Sequence, residues 1–173
     1  DEVGDSYAHT IFPEDWWQIR DVVAIVTKKM KKTSSTKGHA LAESSPFYQT
    51  RLAGMADKVK QIKQAIKEKD FTKFGQIVET DALNFHAVAM TSTPALLYWE
   101  PTTLEIMRKI QAWRKFNDLE AYFTIDAGPT VHVICLAKDE LEVKRRLNKI
   151  QGVDRVEANK PAQGASFSQD HLF

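Results

Sequence analysis

Apolar and polar residues follow one another along this chain in two patterns, one typical of strands and one typical of helices. Short apolar stretches rich in β-branched and aromatic residues predict strands, and they lie at residues 6–12, 21–27, 120–125, 131–136 and 153–158. The stretch 21–27 is strongly apolar and β-branched. This composition predicts a central strand that is buried on both faces.

Apolar residues spaced three and four apart predict helices between these strands. A long helix is predicted for residues 46–69, where one stripe is formed by Leu52, Met55, Val59, Ile62 and Ile66. Asp70 can cap a second helix that reaches about residue 90, with the inward positions Phe74, Val78, Phe85 and Val88. Further helices are predicted at 102–116, buried through Ile106, Ile110 and Trp113, and at 139–150.

The mixture of strands and helices predicts an α+β fold, with an antiparallel sheet covered by helices on one face. The strands 120–125 and 131–136 can form a hairpin, and the order strand–loop–strand–helix–strand resembles half of a ferredoxin-like fold. Loops or turns are expected at 13–17, 28–37 and 91–101, with one or two helical turns at 38–45. There is no internal repeat or linker, so residues 1–173 are expected to form one domain, with an irregular polar tail after Asn159.

Composition narrows the class of protein. The 173 residues carry a net charge of +1, so they offer no overall electrostatic attraction for nucleic acid. No apolar run is long enough to cross a membrane, and no signal peptide is visible. The single cysteine, Cys135, lies in an apolar strand and is interpreted as a small core residue. Because a lone thiol forms no internal disulfide, a reducing compartment, the cytoplasm, is expected.

A carboxylate stands where Gly128 and Pro129 end the strand 120–125. Asp126 is therefore expected to leave the sheet in a tight turn, where glycine allows close approach of a ligand and proline stiffens the loop. A general base needs this combination of fixed position and access. The alternative interpretation is an aspartate that only opens a turn.

Hydroxyl and lysine side chains are concentrated between the strand 21–27 and the helical segment at 38–45. Ser35, Thr36 and Lys37 come directly before this segment. Hydroxyls and backbone N–H groups at a helix start favour an anion, and lysines attract phosphate. The alternative is a solvated loop with an N-cap serine. The basic run 28–32 has no interleaved aromatic residue, so nucleic-acid binding is not predicted.

The second long helix carries an acid and a histidine among apolar residues. Asp81 and Phe85 are four apart and share a helix face, and His86 follows one step round the helix. His86 is interpreted as a satisfied core or surface residue. No second histidine or cysteine stands at metal-ligand spacing, so no metal site is predicted in this chain.

These motifs occur in an order and spacing that resemble a known family. The matching segments are Thr-Ser-Ser-Thr-Lys-Gly at 33–38, Glu-Ser-Ser-Pro-Phe-Tyr at 43–48 running into Arg51, residues 81–87, and Asp-Ala-Gly-Pro at 126–129. Together they resemble the C-terminal domain of the mevalonate diphosphate decarboxylases. This family belongs to the superfamily of galactokinase, homoserine kinase, mevalonate kinase and phosphomevalonate kinase. The resemblance covers nearly the whole chain, from Asp5 to the last predicted strand.

The resemblance implies an ATP- and magnesium-dependent enzyme of isoprenoid biosynthesis, commonly homodimeric. Its members phosphorylate the 3-hydroxyl of mevalonate 5-diphosphate, then release phosphate and carbon dioxide to give isopentenyl diphosphate. The family's catalytic aspartate falls on Asp126, and its phosphate-contacting serine falls on Ser35. Thr36, Lys37 and Gly128 belong to the same two loops and are expected beside the substrate phosphates.

Two residues depart from the family pattern and leave the substrate open. Thr130 stands where the family usually has asparagine, and His39 stands where it usually has methionine. Relatives act on mevalonate 5-phosphate, or stop after 3-phosphorylation, so a monophosphate decarboxylase or a small-molecule kinase is the alternative. A non-catalytic α+β binding or dimerisation domain is the alternative that composition alone favours.

The superfamily's glycine-rich phosphate loop has no counterpart here, because the seven glycines never cluster. The resemblance places that loop in a separate N-terminal ATP-binding domain. The chain also begins at Asp1 rather than Met. We therefore expect a C-terminal, substrate-side domain that folds alone, binds no ATP and is inactive by itself.

Overall fold

The structure, a computed structural model, describes residues 9–26 and 35–164, apart from the side chains of residues 35–37. Its four strands are β1 (Ile19–Ile25), β2 (Ala121–Thr124), β3 (Val131–Leu136) and β4 (Arg155–Asn159). Its five α-helices are α1 (Ser35–Ala42), α2 (Tyr48–Glu68), α3 (Phe71–Met90), α4 (Pro101–Asn117) and α5 (Glu140–Leu147). A short 3₁₀ turn, Ala137–Asp139, leads into α5.

The strands form one antiparallel sheet in the order β2-β3-β1-β4. With helices between β1 and β2 and between β3 and β4, this is the strand–helix–strand–strand–helix–strand order of a ferredoxin-like fold. The predicted α+β class and the hairpin of β2 and β3 are confirmed. The strand predicted for residues 6–12 is wrong over residues 9–12, which form no strand, and residues 1–8 lie outside the described part.

One face of the sheet packs on α4 and α5 and forms the core. On this face, side chains of β1 and β3 pack against buried apolar side chains of the two helices. The strand residues include Val22, Ala24, Val131 and Val133, and the helix residues include Ile106, Ile110, Val143 and Leu147. The predicted positions Ile106, Ile110 and Trp113 are confirmed as buried. Cys135 is also fully buried, and burial raises the pKa of its thiol to about 12, as expected for a core residue rather than a nucleophile.

Strand β1 is central, as predicted, but it is not buried on both faces. Val22 and Ala24 are fully buried, whereas Asp21 and Val23, which alternate with them along the strand, are partly exposed. The reason is that the helices cover one face, so side chains that alternate along the strand have different surroundings. An unbroken apolar run was therefore not sufficient to show two-sided burial.

Helix α3 runs beside the edge strand β2, and α2 packs on α3. Asp70 caps α3 as predicted, because its carboxylate accepts a hydrogen bond from the Lys73 N–H at 3.0 Å. The buried face of α3 differs from the predicted one: Val88 is buried, but Phe74, Val78 and Phe85 are partly exposed. The other buried positions are Phe71, Gly75, Glu79, Ala82, His86 and Ala89.

The apolar stripe of α2 is only partly covered. Leu52 and Val59 are 48% and 43% exposed, although both belong to the predicted stripe. Helix α2 has α3 as its main neighbour and does not lie on the sheet, so a single helix covers its apolar side. At its C-terminal end the Trp16 indole donates a hydrogen bond to the Ile66 carbonyl at 3.1 Å.

Candidate active site

Asp126 lies where the sequence predicted, just after the end of β2. Its side chain is exposed, whereas Ile125, Ala127 and Gly128 around it are buried. The Gly128 N–H donates a hydrogen bond to the Asp126 carbonyl at 2.7 Å, which closes a tight turn. The carboxylate is thereby presented to solvent from a backbone that is packed on both sides, the arrangement that a general base requires.

The Asp126 carboxylate lines a cleft of about 330 Å³ between the β2–β3 turn and helices α1, α2 and α3. His39 of α1, Arg51 of α2 and Asp81 of α3 line the same cleft. A second, more apolar cavity of about 250 Å³ shares His39, Arg51, Phe85 and Ala127 with it and extends towards Tyr98. The cleft therefore joins a polar wall with a carboxylate to an apolar recess, as small-molecule sites commonly do.

Two cations and one carboxylate form an ion cluster, of which Arg51 and Asp81 line this cleft. The Arg51 guanidinium donates to both Asp81 carboxylate oxygens, at 2.7 and 3.0 Å, and the Lys58 ammonium donates to one of them at 2.7 Å. Burial alone would raise the pKa of Asp81, but the bonds from Arg51 and Lys58 outweigh it and lower this pKa. The cluster is fixed and has a cationic excess beside the cleft.

Arg51 and Lys58 were not among the predicted site residues. They are seven apart on α2, so they lie two turns apart on one helix face. Their shared partner, Asp81, is 30 residues beyond Arg51 and 23 beyond Lys58. The spacing of the two cations was visible in the sequence, but a partner on another helix was not.

Helix α1 begins at Ser35, so the loop predicted for 28–37 is wrong over residues 35–37, and residues 28–34 lie outside the described part. Ser35, Thr36 and Lys37 form the first turn of the helix that was predicted to begin at Gly38. Their side chains lie outside the described part, and the phosphate-contacting roles of these three residues stay predictions. Gly38 and His39, which follow them on α1, line the adjoining apolar cavity, and His39 also lines the cleft.

Gly128, the fourth predicted phosphate contact, is buried, and its N–H is engaged in the turn with Asp126. Its observed contribution is to the shape of the loop. A direct contact with substrate stays a prediction for this residue.

His86 is a satisfied core residue, as interpreted from the sequence. It is 1% exposed, and its Nε2 lies 3.1 Å from the Ile125 carbonyl oxygen, one residue before Asp126. Burial lowers the pKa of His86, and the Ile125 carbonyl opposes this effect only in part. The imidazole is therefore neutral at pH 7, with the hydrogen on Nε2, because a carbonyl oxygen can only accept.

A second histidine, His132, lies on the opposite face of the sheet from the core. Its Nδ1 is 2.9 Å from the Asp21 carboxylate on the neighbouring strand β1. The hydrogen bond that His132 donates to the Asp21 carboxylate raises the pKa of His132, against the opposing effect of burial. His132 pairs with Thr124 of β2 and was not singled out in the sequence, where it reads as a polar position of an alternating strand.

In the ranges 9–26 and 35–164, no group of three or more His, Cys, Asp and Glu residues is arranged to hold a metal ion. Nor is any helix in the described part long and apolar enough to cross a membrane.

The sequence of this chain is similar to those of known proteins from one family. The family model described as the mevalonate 5-diphosphate decarboxylase C-terminal domain matches residues 21–170. The diphosphomevalonate decarboxylase of Candida albicans is 33% identical over 128 residues, which are 72% of this chain and 35% of that protein. The human diphosphomevalonate decarboxylase is 28% identical over 136 residues, 76% of this chain and 34% of that protein. The chain thus spans about a third of the length of these curated relatives.

Solved structures agree with the sequence matches. The mevalonate diphosphate decarboxylase of Staphylococcus aureus superposes with a TM-score of 0.78 and 26% identity, over 86% of this chain and 44% of that one. The protein designated MDDEF, in complex with MVAPP, superposes with a TM-score of 0.80 and 28% identity, over 88% of this chain and 48% of that one.

Proposed function

This chain belongs to the family of mevalonate 5-diphosphate decarboxylase C-terminal domains, and from this membership we propose that it is the C-terminal part of an ATP-dependent decarboxylase. The substrate is mevalonate 5-diphosphate, and the products are isopentenyl diphosphate, carbon dioxide, ADP and phosphate. The observation that carries the proposal is the exposed Asp126 carboxylate, held on a buried turn at the wall of a cleft.

In this proposal Asp126 is the catalytic carboxylate of the chain. It accepts a hydrogen bond from the 3-hydroxyl of the substrate, orients that oxygen and takes its proton as the oxygen is phosphorylated. The phosphorylated oxygen then leaves as phosphate while the bond to the carboxylate carbon breaks. The electron pair of that bond becomes the new carbon–carbon double bond, and carbon dioxide departs.

The substrate phosphates are assigned to the start of α1 and to the nearby cations. Ser35, Thr36 and Lys37 provide hydroxyls and an ammonium at a helix N-terminus, with Gly128 on the facing loop. The cluster of Arg51, Lys58 and Asp81 has a cationic excess, and its members Arg51 and Asp81 line the cleft, so it favours an anion nearby. Replacing Ser35 with alanine should raise KM for the phosphorylated substrate, since a hydrogen bond to a charged group contributes roughly 1.5–3 kcal/mol. Replacing Thr36 with alanine should have a milder effect.

ATP and magnesium do not fit the residues of this chain, so we assign them to a separate N-terminal domain. The seven glycines are spread between residues 4 and 164 and form no phosphate loop. Related structures include a complex of MDDEF with MVAPP, AMPPCP and magnesium, in a chain about twice as long as the matched region. We derive no step of the mechanism from nucleotide contacts of this chain.

The proposal is tested with Asp126→Asn in the complete enzyme. Turnover should fall by about 10²-fold or more, with substrate binding and thermal unfolding unchanged, because the amide keeps the shape and loses the base. Asp57→Asn, at an exposed position on α2, is the matched control and should leave turnover unchanged. An Asp126→Asn enzyme that keeps most of its turnover would contradict the assignment.

A monophosphate substrate is the second candidate. The phosphomevalonate decarboxylase of Haloferax volcanii is 28% identical over 112 residues, 65% of this chain. Thr130 and His39, which depart from the usual family residues, lie on the β2–β3 loop and on the cleft wall. Assays of carbon dioxide release from mevalonate 5-diphosphate and mevalonate 5-phosphate separate the two candidates. Phosphorylation without carbon dioxide release would indicate a small-molecule kinase instead.

The same proposal covers the compartment, the oligomeric state and the activity of the isolated chain. We assign it to the cytoplasm, in agreement with its single buried thiol, and to a homodimer, as is common in the family. Purified residues 1–173 should give no carbon dioxide release and no calorimetric signal with Mg-ATP, since both walls of the cleft are needed to align the reacting atoms. Micromolar ATP binding by this chain would contradict the assignment of the nucleotide to another domain.

A further inference from the structure

The loop that carries Asp126 is held through three successive backbone contacts. The Ile125 carbonyl lies 3.1 Å from His86 Nε2, the Asp126 carbonyl accepts from the Gly128 N–H at 2.7 Å, and the Pro129 carbonyl accepts from the Thr103 hydroxyl at 2.8 Å. The first and third contacts come from side chains on different helices, α3 and α4. Asp126 therefore lies between two side-chain anchors, His86 and Thr103, which bind the backbone on either side of it.

The His86 anchor has a fixed geometry. Its ring packs against Trp99 and Phe85, at centroid distances of 4.7 and 5.1 Å, and it is almost fully buried. Because the partner is a carbonyl oxygen, the Nε2 atom must donate, which selects one tautomer of the ring. A ring so confined cannot follow a displaced loop, so it defines the position of the Ile125 carbonyl.

The Thr103 anchor is equally constrained. Thr103 is fully buried, and its hydroxyl oxygen accepts from the Glu100 N–H at 3.2 Å while donating to the Pro129 carbonyl. The hydroxyl has one hydrogen, and the Glu100 contact already uses the oxygen as an acceptor. The hydrogen is therefore directed to the loop.

We propose that His86 and Thr103 are positioning residues for the Asp126 carboxylate, acting through the Ile125 and Pro129 carbonyls that they bind. This inference rests on the proposed function and adds two residues that make no contact with the reacting atoms. A displacement of about 1 Å at a reacting group can reduce the rate about 10²-fold. Two anchors on one short loop are sufficient to control a displacement of that size.

Two pairs of variants in the complete enzyme separate the anchors from general packing. Thr103→Val removes the hydroxyl at nearly constant volume, and Thr103→Ser restores it. His86→Phe removes the donor and keeps a ring, and His86→Gln restores a nitrogen donor at a similar reach. Loss of either donor should lower kcat about tenfold with KM changed less than about twofold, and the restoring variants should recover most of kcat.

Ile110→Val, in the core of α4 seven residues beyond Thr103, removes no hydrogen-bond donor and controls for lost stability. The inference is overturned if kcat stays unchanged in both Thr103→Val and His86→Phe. It is also overturned if Ile110→Val lowers kcat as much, or if Thr103→Ser and His86→Gln are no better than the donor-free variants.

Hydrogen exchange provides a readout that does not depend on activity. Amide exchange of the peptide that covers residues 125–130 should accelerate about tenfold in Thr103→Val and His86→Phe and return towards wild type in the restoring variants. If the wild-type enzyme releases no carbon dioxide, the proposed function fails while exchange still tests the anchors. If the wild type is active but exchange and kcat are unchanged in the variants, the anchors alone are refuted.

Discussion

The two edge strands of the sheet, β2 and β4, are completed in different ways. The outer edge of β2 is covered by α3 and α4, whose polar side chains bind its backbone groups. Strand β4 has no further strand beside it in the described ranges, and its side chains are mostly exposed. Both edges present backbone groups that would otherwise be available to another chain, so each needs some form of protection.

At the β2 edge the protection is an ion pair. The Glu79 carboxylate accepts from the Phe123 N–H at 3.1 Å and is paired with both Arg114 guanidinium nitrogens, at 2.7 and 2.9 Å. The same guanidinium donates to the Ala121 carbonyl and covers the Tyr122 ring. Glu79 and Arg114 thus take the place of a neighbouring strand.

At the β4 edge the protection is charge in solvent. Arg155 and Glu157 are paired at 3.0 Å, but their side chains are 59% and 50% exposed. Exposed pairs contribute little to stability, whereas a buried pair holds its partners in one geometry. The comparison shows that the edge held in one geometry is β2. This strand leads directly into the Asp126 loop, where the position of the carboxylate matters.

The largest effect is expected from Glu79→Ala. It leaves the Arg114 guanidinium and the Phe123 N–H without their carboxylate, and removal of one partner of a buried pair costs about 3–5 kcal/mol. Because the Arg114 side chain is 23% exposed, we expect the free energy of unfolding to fall by about 3 kcal/mol. Urea unfolding measures it, with Glu105→Ala on the exposed side of α4 as control. Equal losses in the two variants would contradict the special role of the β2 edge.

Gly75→Ala should have the next largest effect. A Cβ at this position would overlap the Tyr122 ring, so α3 would have to move away from β2. Overpacking of this kind costs about 1–3 kcal/mol. The matched control is Gly54→Ala on α2, where a Cβ meets nothing within 4 Å and helix propensity predicts a gain of about 0.5–1 kcal/mol. If both variants lowered the midpoint of urea unfolding, the close approach of α3 to β2 would not be the cause.

Much of the fold followed from local patterns. The bounds of β3 were predicted without error, because Pro129 and the change to a helical pattern after Leu136 delimit a short alternating strand. The position of Asp126 at the end of β2 was also local information, since Gly128 and Pro129 stop the strand at once. Apolar spacing predicted α4 within one residue at each end.

The polar contacts between distant elements could not be predicted from local sequence patterns. Glu79 and His86 occupy buried positions of α3 and interrupt its apolar stripe, so periodicity assigned the inward face to Phe74, Val78 and Phe85 instead. Their partners, Phe123 and Ile125, are 44 and 39 residues away. The Arg51–Asp81 pair spans 30 residues for the same reason. Contacts of this kind arise from the packing of distant elements and have no local signature.

A smaller, pH-dependent effect is expected at His132, beside β2. Its pKa is raised by the hydrogen bond that it donates to the Asp21 carboxylate, with a further contribution from the charge of Asp126. The folded state therefore binds the proton more tightly than the unfolded state, and stability falls as pH rises. The contribution should be fully present below the ordinary pKa of 6.5 and disappear as pH passes through the raised value. In urea unfolding, Asp21→Asn should flatten this profile; an unchanged slope between pH 5.5 and 8 would contradict it.

The smallest effect on stability is expected at β4. Replacing both Arg155 and Glu157 with threonine removes an exposed ion pair and keeps β-propensity, so the free energy of unfolding should change by less than about 0.5 kcal/mol. The same change removes the charges that oppose pairing of this edge with another chain. Self-association at high concentration should therefore increase, as measured by light scattering. Thr72→Val, which removes a hydroxyl bonded to Glu120 beside the covered β2 edge, serves as the comparison and should leave association unchanged. If the double variant stayed monodisperse, charge would not be what protects β4.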